Sequence, residues 1–171
     1  KGGLSFWAHP ESNYSVSGRR FGPITLKTEH YPDALLSSRN YTGFSGIYGD
    51  SITATQPGGH WDQQLIRYCD GQRRFPAVAI AGADYHGTRG EAPIDTFHTV
   101  FWARKNNQAA VLDALASGRC YAVRKGNRGT LVLQDFYIQD PAGKRRATMG
   151  ETVGLEEDFV VKAEVSTVQK K

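Results

Sequence analysis

Cysteine is scarce in this 171-residue chain: only Cys69 and Cys120 occur, and they form no CxxC pair. That spacing argues against a disulfide framework or a zinc ribbon and fits two buried thiols in a reducing compartment. No run of about eighteen apolar residues is present, so no segment is expected to span a membrane. The Gly-rich stretches Gly43-Phe44-Ser45-Gly46 and Gly58-Gly59 do not have the form of a phosphate-cradling loop leading into a helix, and no GxSxG nucleophile elbow exists. Internal repeats and low-complexity segments are missing too. The net charge of +4 invites a nucleic-acid reading, but the basic residues are scattered pairs: Arg19-Arg20, Arg73-Arg74, Arg104-Lys105 and Lys144-Arg145-Arg146. No helix or stripe collects them, so nucleic acid is not indicated. Solvated surface is the first reading of these pairs, and attraction of a phosphorylated substrate the second.

What is present describes a globular domain. Hydrophobic residues make up 39% and charged residues 22%, and a chain this long can form a core without disulfide or metal staples. Lys1-Gly2-Gly3 leads directly into a strand with no starting methionine, which reads as a piece cut from a longer protein. No signal peptide is visible, and a cytoplasmic location is expected.

Along the chain, residues 4–8 read as a buried strand with Phe6 and Trp7 as its bulk. Glu11 to Pro23 is polar and reads as a long loop. Pro32 can start a short helix carrying Ala34, Leu35 and Leu36, and Phe44 to Tyr48 is a strand weakened by Gly46. Trp61, Leu65, Tyr68 and Cys69 fall on one helical stripe that Gly71 terminates, which makes Cys69 a core thiol rather than a nucleophile. Strands follow at Ala77 to Ala81 and Thr99 to Ala103. Asn106 or Asn107 can cap a helix that Gly118 ends, and Cys120 to Val123 is another strand. This alternation predicts an α/β layer of parallel strands over residues 1–124. From residue 125 to 171 the pattern becomes all-β: Leu131-Val132-Leu133, Phe136-Tyr137-Ile138 and Phe159-Val160-Val161, with a turn at Asp140-Pro141-Ala142-Gly143. Too few strands are present to close a sandwich.

Two of these strands end in metal-type ligands. Leu4-Ser5-Phe6-Trp7-Ala8 runs into His9-Pro10-Glu11, and Val78-Ala79-Ile80-Ala81-Gly82-Ala83 runs into Asp84-Tyr85-His86-Gly87. Ligands and catalytic groups gather at the C-terminal edge of a parallel sheet. Asp84 and His86, two apart, project to one side of an extended backbone, and a carboxylate beside an imidazole suits a divalent ion. A bland reading stands beside each: Asp84 bonding the backbone in a turn, His9 an ordinary surface or structural histidine. His60 reads as a helix cap or solvent-facing group, and Glu11 as a surface residue.

These motifs, with Val111-Leu112-Asp113-Ala114-Leu115 and Gly118-Arg119-Cys120-Tyr121 behind them, resemble the C-terminal part of a PHP-domain protein, the polymerase and histidinol phosphatase superfamily. The resemblance covers roughly residues 3–124. It implies a partial distorted β/α (TIM-like) barrel, followed by an incomplete antiparallel (Ig-like) β module, and hydrolysis of phosphate esters by water that clustered divalent ions activate. Zinc, manganese or iron is the implied metal, and His9, Asp84 and His86 are the implied ligands; three ligands cannot hold three ions, so the full cluster is not expected in this fragment. Arg19, Arg20 and His30 are phosphate contacts by location. A phosphorylated small molecule or nucleotide is the implied substrate. The family's opening His-x-His strand and second-motif carboxylate have no counterpart here, so the isolated chain is expected to be inactive and to associate, as a homodimer or with a missing half, through an exposed barrel edge. Alternatives are a non-catalytic binding module and a related metallohydrolase acting on amides.

Overall fold

The computed structural model describes residues 3–8, 10, 14–17, 25–28, 32–48, 53–83, 85, 94–126, 129–154 and 158–168. Its elements in chain order are β1 (Phe6–Trp7), β2 (Tyr14–Ser17), β3 (Thr25–Thr28), α1 (Pro32–Ser37), β4 (Gly43–Tyr48), a 3-10 turn (Thr53–Thr55), α2 (His60–Cys69), β5 (Val78–Gly82), β6 (Phe97–Phe101), α3 (Gln108–Ala116), β7 (Cys120–Arg124), β8 (Thr130–Gln139), β9 (Arg146–Thr148) and β10 (Val160–Val168).

Strands β1, β4 and β5 form one parallel sheet in that order, with Phe6 opposite Gly43 and Gly43 opposite Val78. Gly43 is required there. A Cβ would lie 1.9 Å from the Val78 carbonyl oxygen and 3.0 Å from the Phe6 ring. The Gly46 that weakens this stretch as a strand falls where the β4–β5 register shifts, between Ser45 and Ile47; bulges are common places for glycine. One face of the sheet carries a core of Leu35, Tyr41, Phe44, Ala54 and Ala77, with Trp7 and Trp61 packed against it.

Beside that core sits a buried polar clamp. Arg73, only 5% exposed, donates to the carbonyls of Tyr41 (2.9 Å), Phe75 (3.2 Å) and Ser38 (3.4 Å) and to Gln64 Oε1 (3.1 Å). Its guanidinium also stacks 4.3 Å over the Tyr41 ring. Gln64, fully buried, donates to the Leu35 and Leu36 carbonyls, and Arg67 donates to Leu36 as well. The orphan carbonyls at the C-terminal end of α1 thus receive their donors from α2 and from Arg73. Arg73 is therefore not solvated surface, whereas Arg74 is exposed and stacks on the exposed Phe75. Burial raises the Tyr41 hydroxyl above its usual pKa, with the charges of Arg73 and Arg67 working against that rise.

The helix ends follow local chemistry. Asn107 Oδ1 accepts from the Ala110 N–H at 2.9 Å. Gly71 and Gly118 adopt positive φ just past α2 and α3, with Gln72 N donating to Arg67 O and Arg119 N to Ala114 O, the bonds of a Schellman cap. Cys69, however, is exposed, and Gln64 takes the most buried position of α2.

The expected partial TIM-like β/α barrel is not what forms. The described strands fall into four separate sheets, none closed: the parallel trio, the antiparallel pairs β2–β3 and β6–β7, and the antiparallel trio β10-β8-β9. Helices are few and short. The error lies in strand direction. Phe101 pairs with Cys120, so the segment carrying α3 leaves and re-enters at the same end, closed by Trp102 N donating to Arg119 O at 2.9 Å. Alternating strand and helix patterns specify element types but not whether the connection crosses over. The expected Ig-like module is likewise corrected: residues 130–168, where described, make one three-stranded sheet, in which β8 is a single ten-residue strand rather than two. Its turn at Asp140 is held by that carboxylate, which accepts from Lys144 N (2.7 Å) and Arg145 N (3.2 Å).

Candidate functional site

Parallel pairing puts the C-terminal ends of β1 and β5 on one edge of the sheet, flanking that of β4. The two ends are staggered. Trp7 is level with Phe44 and Ala79, and β5 continues three residues further, to Gly82. At about 3.3 Å per residue that is an axial offset of about 10 Å, with a lateral separation of about 9.6 Å across two strand spacings. The chain does not leave β1 straight: it bends at Ala8 and turns at the buried Pro10.

His9, Asp84 and His86, the candidate ligands, lie outside the described residues, as do Glu11, Arg19, Arg20 and His30. Their immediate neighbours Ala8, Pro10, Ala83 and Tyr85 are described, and Tyr85 is exposed. Among the described residues no group of three or more His, Cys, Asp or Glu side chains could hold a metal ion. His60 is the first residue of α2, and His98 lies within β6.

Two described residues near this edge escape sequence reasoning. Thr99 Oγ1 accepts from the Ala81 N–H at 3.0 Å, fastening the C-terminal end of β5 to β6. Ser45, in the central strand opposite Ile80, is 8% exposed, and its hydroxyl has no hydrogen-bond partner among the described residues. A buried polar group in that condition costs about 1–3 kcal/mol. Neither residue stands in a motif; only knowledge of which strands pair could have singled them out.

On the β1 side, the described support is aromatic. Trp7 meets Tyr41 edge to face, with ring centroids 6.3 Å apart, so the Arg73 clamp beneath Tyr41 bears on the residue just before the bend. Ser5 adds a backbone tie: its carbonyl accepts from Thr42 N at 2.8 Å.

A second concave feature lies elsewhere. An apolar cavity of about 990 Å³ separates α2 and the start of β5 from β7 and the β8–β9 sheet. It touches β5 at Val78 and Ala79, not at the Gly82 end, and its walls include Trp61, Leu65, Leu133 and Ile138. The Cys120 thiol is in its lining, pushed up to about 11 by desolvation and therefore neutral at physiological pH. Cys120 is therefore not a ready thiolate nucleophile. No described helix is long and apolar enough to cross a membrane. Comparison of the chain with family models, with curated proteins and with solved structures found no match.

Proposed function

We propose that the edge where β1 and β5 end is a divalent-metal site of a phosphoesterase, to which this chain contributes His9, Asp84 and His86. One observation carries the reading: both motif-bearing strands lie in one parallel sheet and run the same way, so both His9-Pro10 and Asp84-Tyr85-His86 follow strand ends on one edge. Had one of the two paired parallel and the other antiparallel with β4, the motifs would lie at opposite ends of the sheet.

The stagger bears on how many ions the edge would hold. An offset of about 10 Å along and 9.6 Å across leaves straight exits about 14 Å apart. That is too wide for one shared ion unless the bend at Ala8 closes the gap. Ligands on neighbouring ions about 3.5–4 Å apart need less closing, which favours a cluster over a single centre. The donor set suits zinc, manganese or iron. Such ions would acidify water and neutralise phosphoryl charge; the part of this chain is to hold them at a rigid edge, with Thr99 and the Trp7–Tyr41 contact fixing the two strand ends. A phosphorylated small molecule or nucleotide is the substrate class.

Metal content tests the reading. At equilibrium with buffered zinc or manganese, the wild-type chain is expected to bind divalent ion. Asp84→Asn combined with His86→Ala, and separately His9→Ala, should each lower it while leaving the circular dichroism spectrum unchanged. Equal metal in all three proteins overturns the assignment and leaves a non-catalytic binding module as the better account.

A further inference from the structure

Among the described residues the outer edge of β10 is unpaired. β10 is a nine-residue strand at one end of the β10-β8-β9 sheet, and all its residues except the half-buried Ser166 are exposed. Natural edge strands of this length are usually blunted by charged side chains, proline, a bulge or a covering segment. β10 carries Lys162 and Glu164 but contains no proline. The irregularity in its pairing with β8 adds its extra residue, Gln134, to β8: Glu164 faces Asp135 and Val165 faces Leu133. β10 itself is therefore regular along its whole length.

Its two faces differ. Val161, Ala163 and Val165 stand opposite Ile138, Phe136 and Leu133, the β8 residues that line the apolar cavity. Val161 and Val165 continue that apolar face outward, 52% and 53% exposed. The other face is charged. Lys162 lies over the Tyr137 ring, which Arg146 also covers at 3.6 Å, and Arg146 pairs with Asp135 at 2.8 Å. Glu164 stands directly opposite that same Asp135, a like-charge placement that is unfavourable. Arg146 neutralises Asp135, and among the described residues Glu164 has no ion pair of its own. A cation on the outer side of the strand would offset the repulsion from Asp135.

We infer that β10 pairs with β10 of a second copy of this chain, antiparallel and about a two-fold axis at Ala163. A two-fold perpendicular to a continuous sheet pairs residue i with a residue of the same parity, because facing side chains must share a face. Centring on Ala163 sets Lys162 against Glu164 of the other copy twice over, sets Val161 against Val165 twice, and joins the two apolar faces on one side of a six-stranded sheet. Moving the axis one residue toward the N-terminus faces Lys162 with itself; moving it one residue the other way faces Glu164 with itself. Each such like-charge pair is unfavourable where the Ala163 register has two favourable ones. The charge pattern therefore selects one register, and it supplies the cation that Glu164 lacks.

This surface is independent of the metal edge, so the two can fail separately. Sedimentation equilibrium over a range of concentrations tests it on the whole chain, with Cys69→Ser as background to remove the exposed thiol. A reversible dimer is expected. Lys162→Glu alone and Glu164→Lys alone should each weaken it by roughly tenfold, while the exchange Lys162→Glu with Glu164→Lys restores it. Ala163→Cys should cross-link readily under mild oxidation, since residues facing each other across antiparallel strands have Cα atoms about 4.5–5.5 Å apart, within disulfide reach. Ser166→Cys, which faces Val160 in this register, should not. A monomer at every concentration, a dimer indifferent to the single charge changes, or open-ended aggregates in place of a closed dimer would each overturn the inference.

Discussion

Replacing Arg73 by Met removes the guanidinium and keeps an unbranched side chain that reaches about as far as Nε. Four acceptors lose their donor: the carbonyls of Tyr41, Phe75 and Ser38, and Oε1 of the fully buried Gln64. The Tyr41 ring loses its stacked cation. Hydrogen bonds to a charged group contribute about 1.5–3 kcal/mol each, but the four are not additive. Releasing the guanidinium from a desolvated position also offsets several kcal/mol of their sum. What remains is chiefly the cost of acceptors left unsatisfied, so the net loss should be about 3 kcal/mol. Arg74 is the control, one residue away. It is exposed and stacks on the exposed Phe75 ring, so Arg74→Met should stay within about 0.5 kcal/mol. In urea unfolding, where stability changes by about 1–3 kcal/mol per molar denaturant, Arg73→Met should move the midpoint down by about 1 M or more. Arg73→Lys keeps the charge but cannot span the four acceptors and should fall between. Midpoints for Arg73→Met and Arg74→Met that coincide would refute the clamp.

Gly43→Ala drives a Cβ into the Val78 carbonyl oxygen, where no flexible side chain can yield; a loss of at least about 2 kcal/mol is expected in the same urea assay, against little change for Gly3→Ala, which has open space around it. The two thiols should separate by exposure: a maleimide should label Cys69 in the folded protein and reach Cys120 only on unfolding. Because the Cys120 pKa is raised in the fold from 9.0 to about 11, its contribution to stability is intact below pH 9 and falls as pH rises toward 11. Urea midpoints on the alkaline side should therefore drop less in Cys120→Ala, measured against its own value at neutral pH, than in the unaltered chain.

Element types were legible where a local signal stands alone. The stops at Gly71 and Gly118 and a cap at Asn106 or Asn107 follow from backbone chemistry within one turn; the structure has both stops and puts the cap at Asn107. Strand direction was not legible, because the residues from Thr99 to Val123 carry the same strand–helix–strand signature whether the return crosses the sheet or not. Exposure misled at two points. Cys69 sits on an apolar stripe yet faces outward, since the stripe borders an open cavity rather than a filled core. Arg73 looks like half of a surface pair, yet its donors are needed where α1 ends, a requirement visible only once α1 and α2 are side by side. Phe159-Val160-Val161 reads as a strand, but its extent to Val168 and its place at the end of the sheet order come only from the structure. As for the candidate site, the sequence identifies two strands that end in ligand-type residues; that both belong to one parallel sheet comes from the pairing of β1, β4 and β5.

Paramagnetic broadening of backbone amide resonances by Mn²⁺ tests the shared edge most directly. Added in small amounts, the ion should broaden the amides of Ala8 and Ala83 together, on strands that are not adjacent. In Asp84→Asn combined with His86→Ala, the same addition should leave both amides sharp. Broadening confined to one of the two strand ends, or unchanged in that double variant, would contradict a common metal-binding edge.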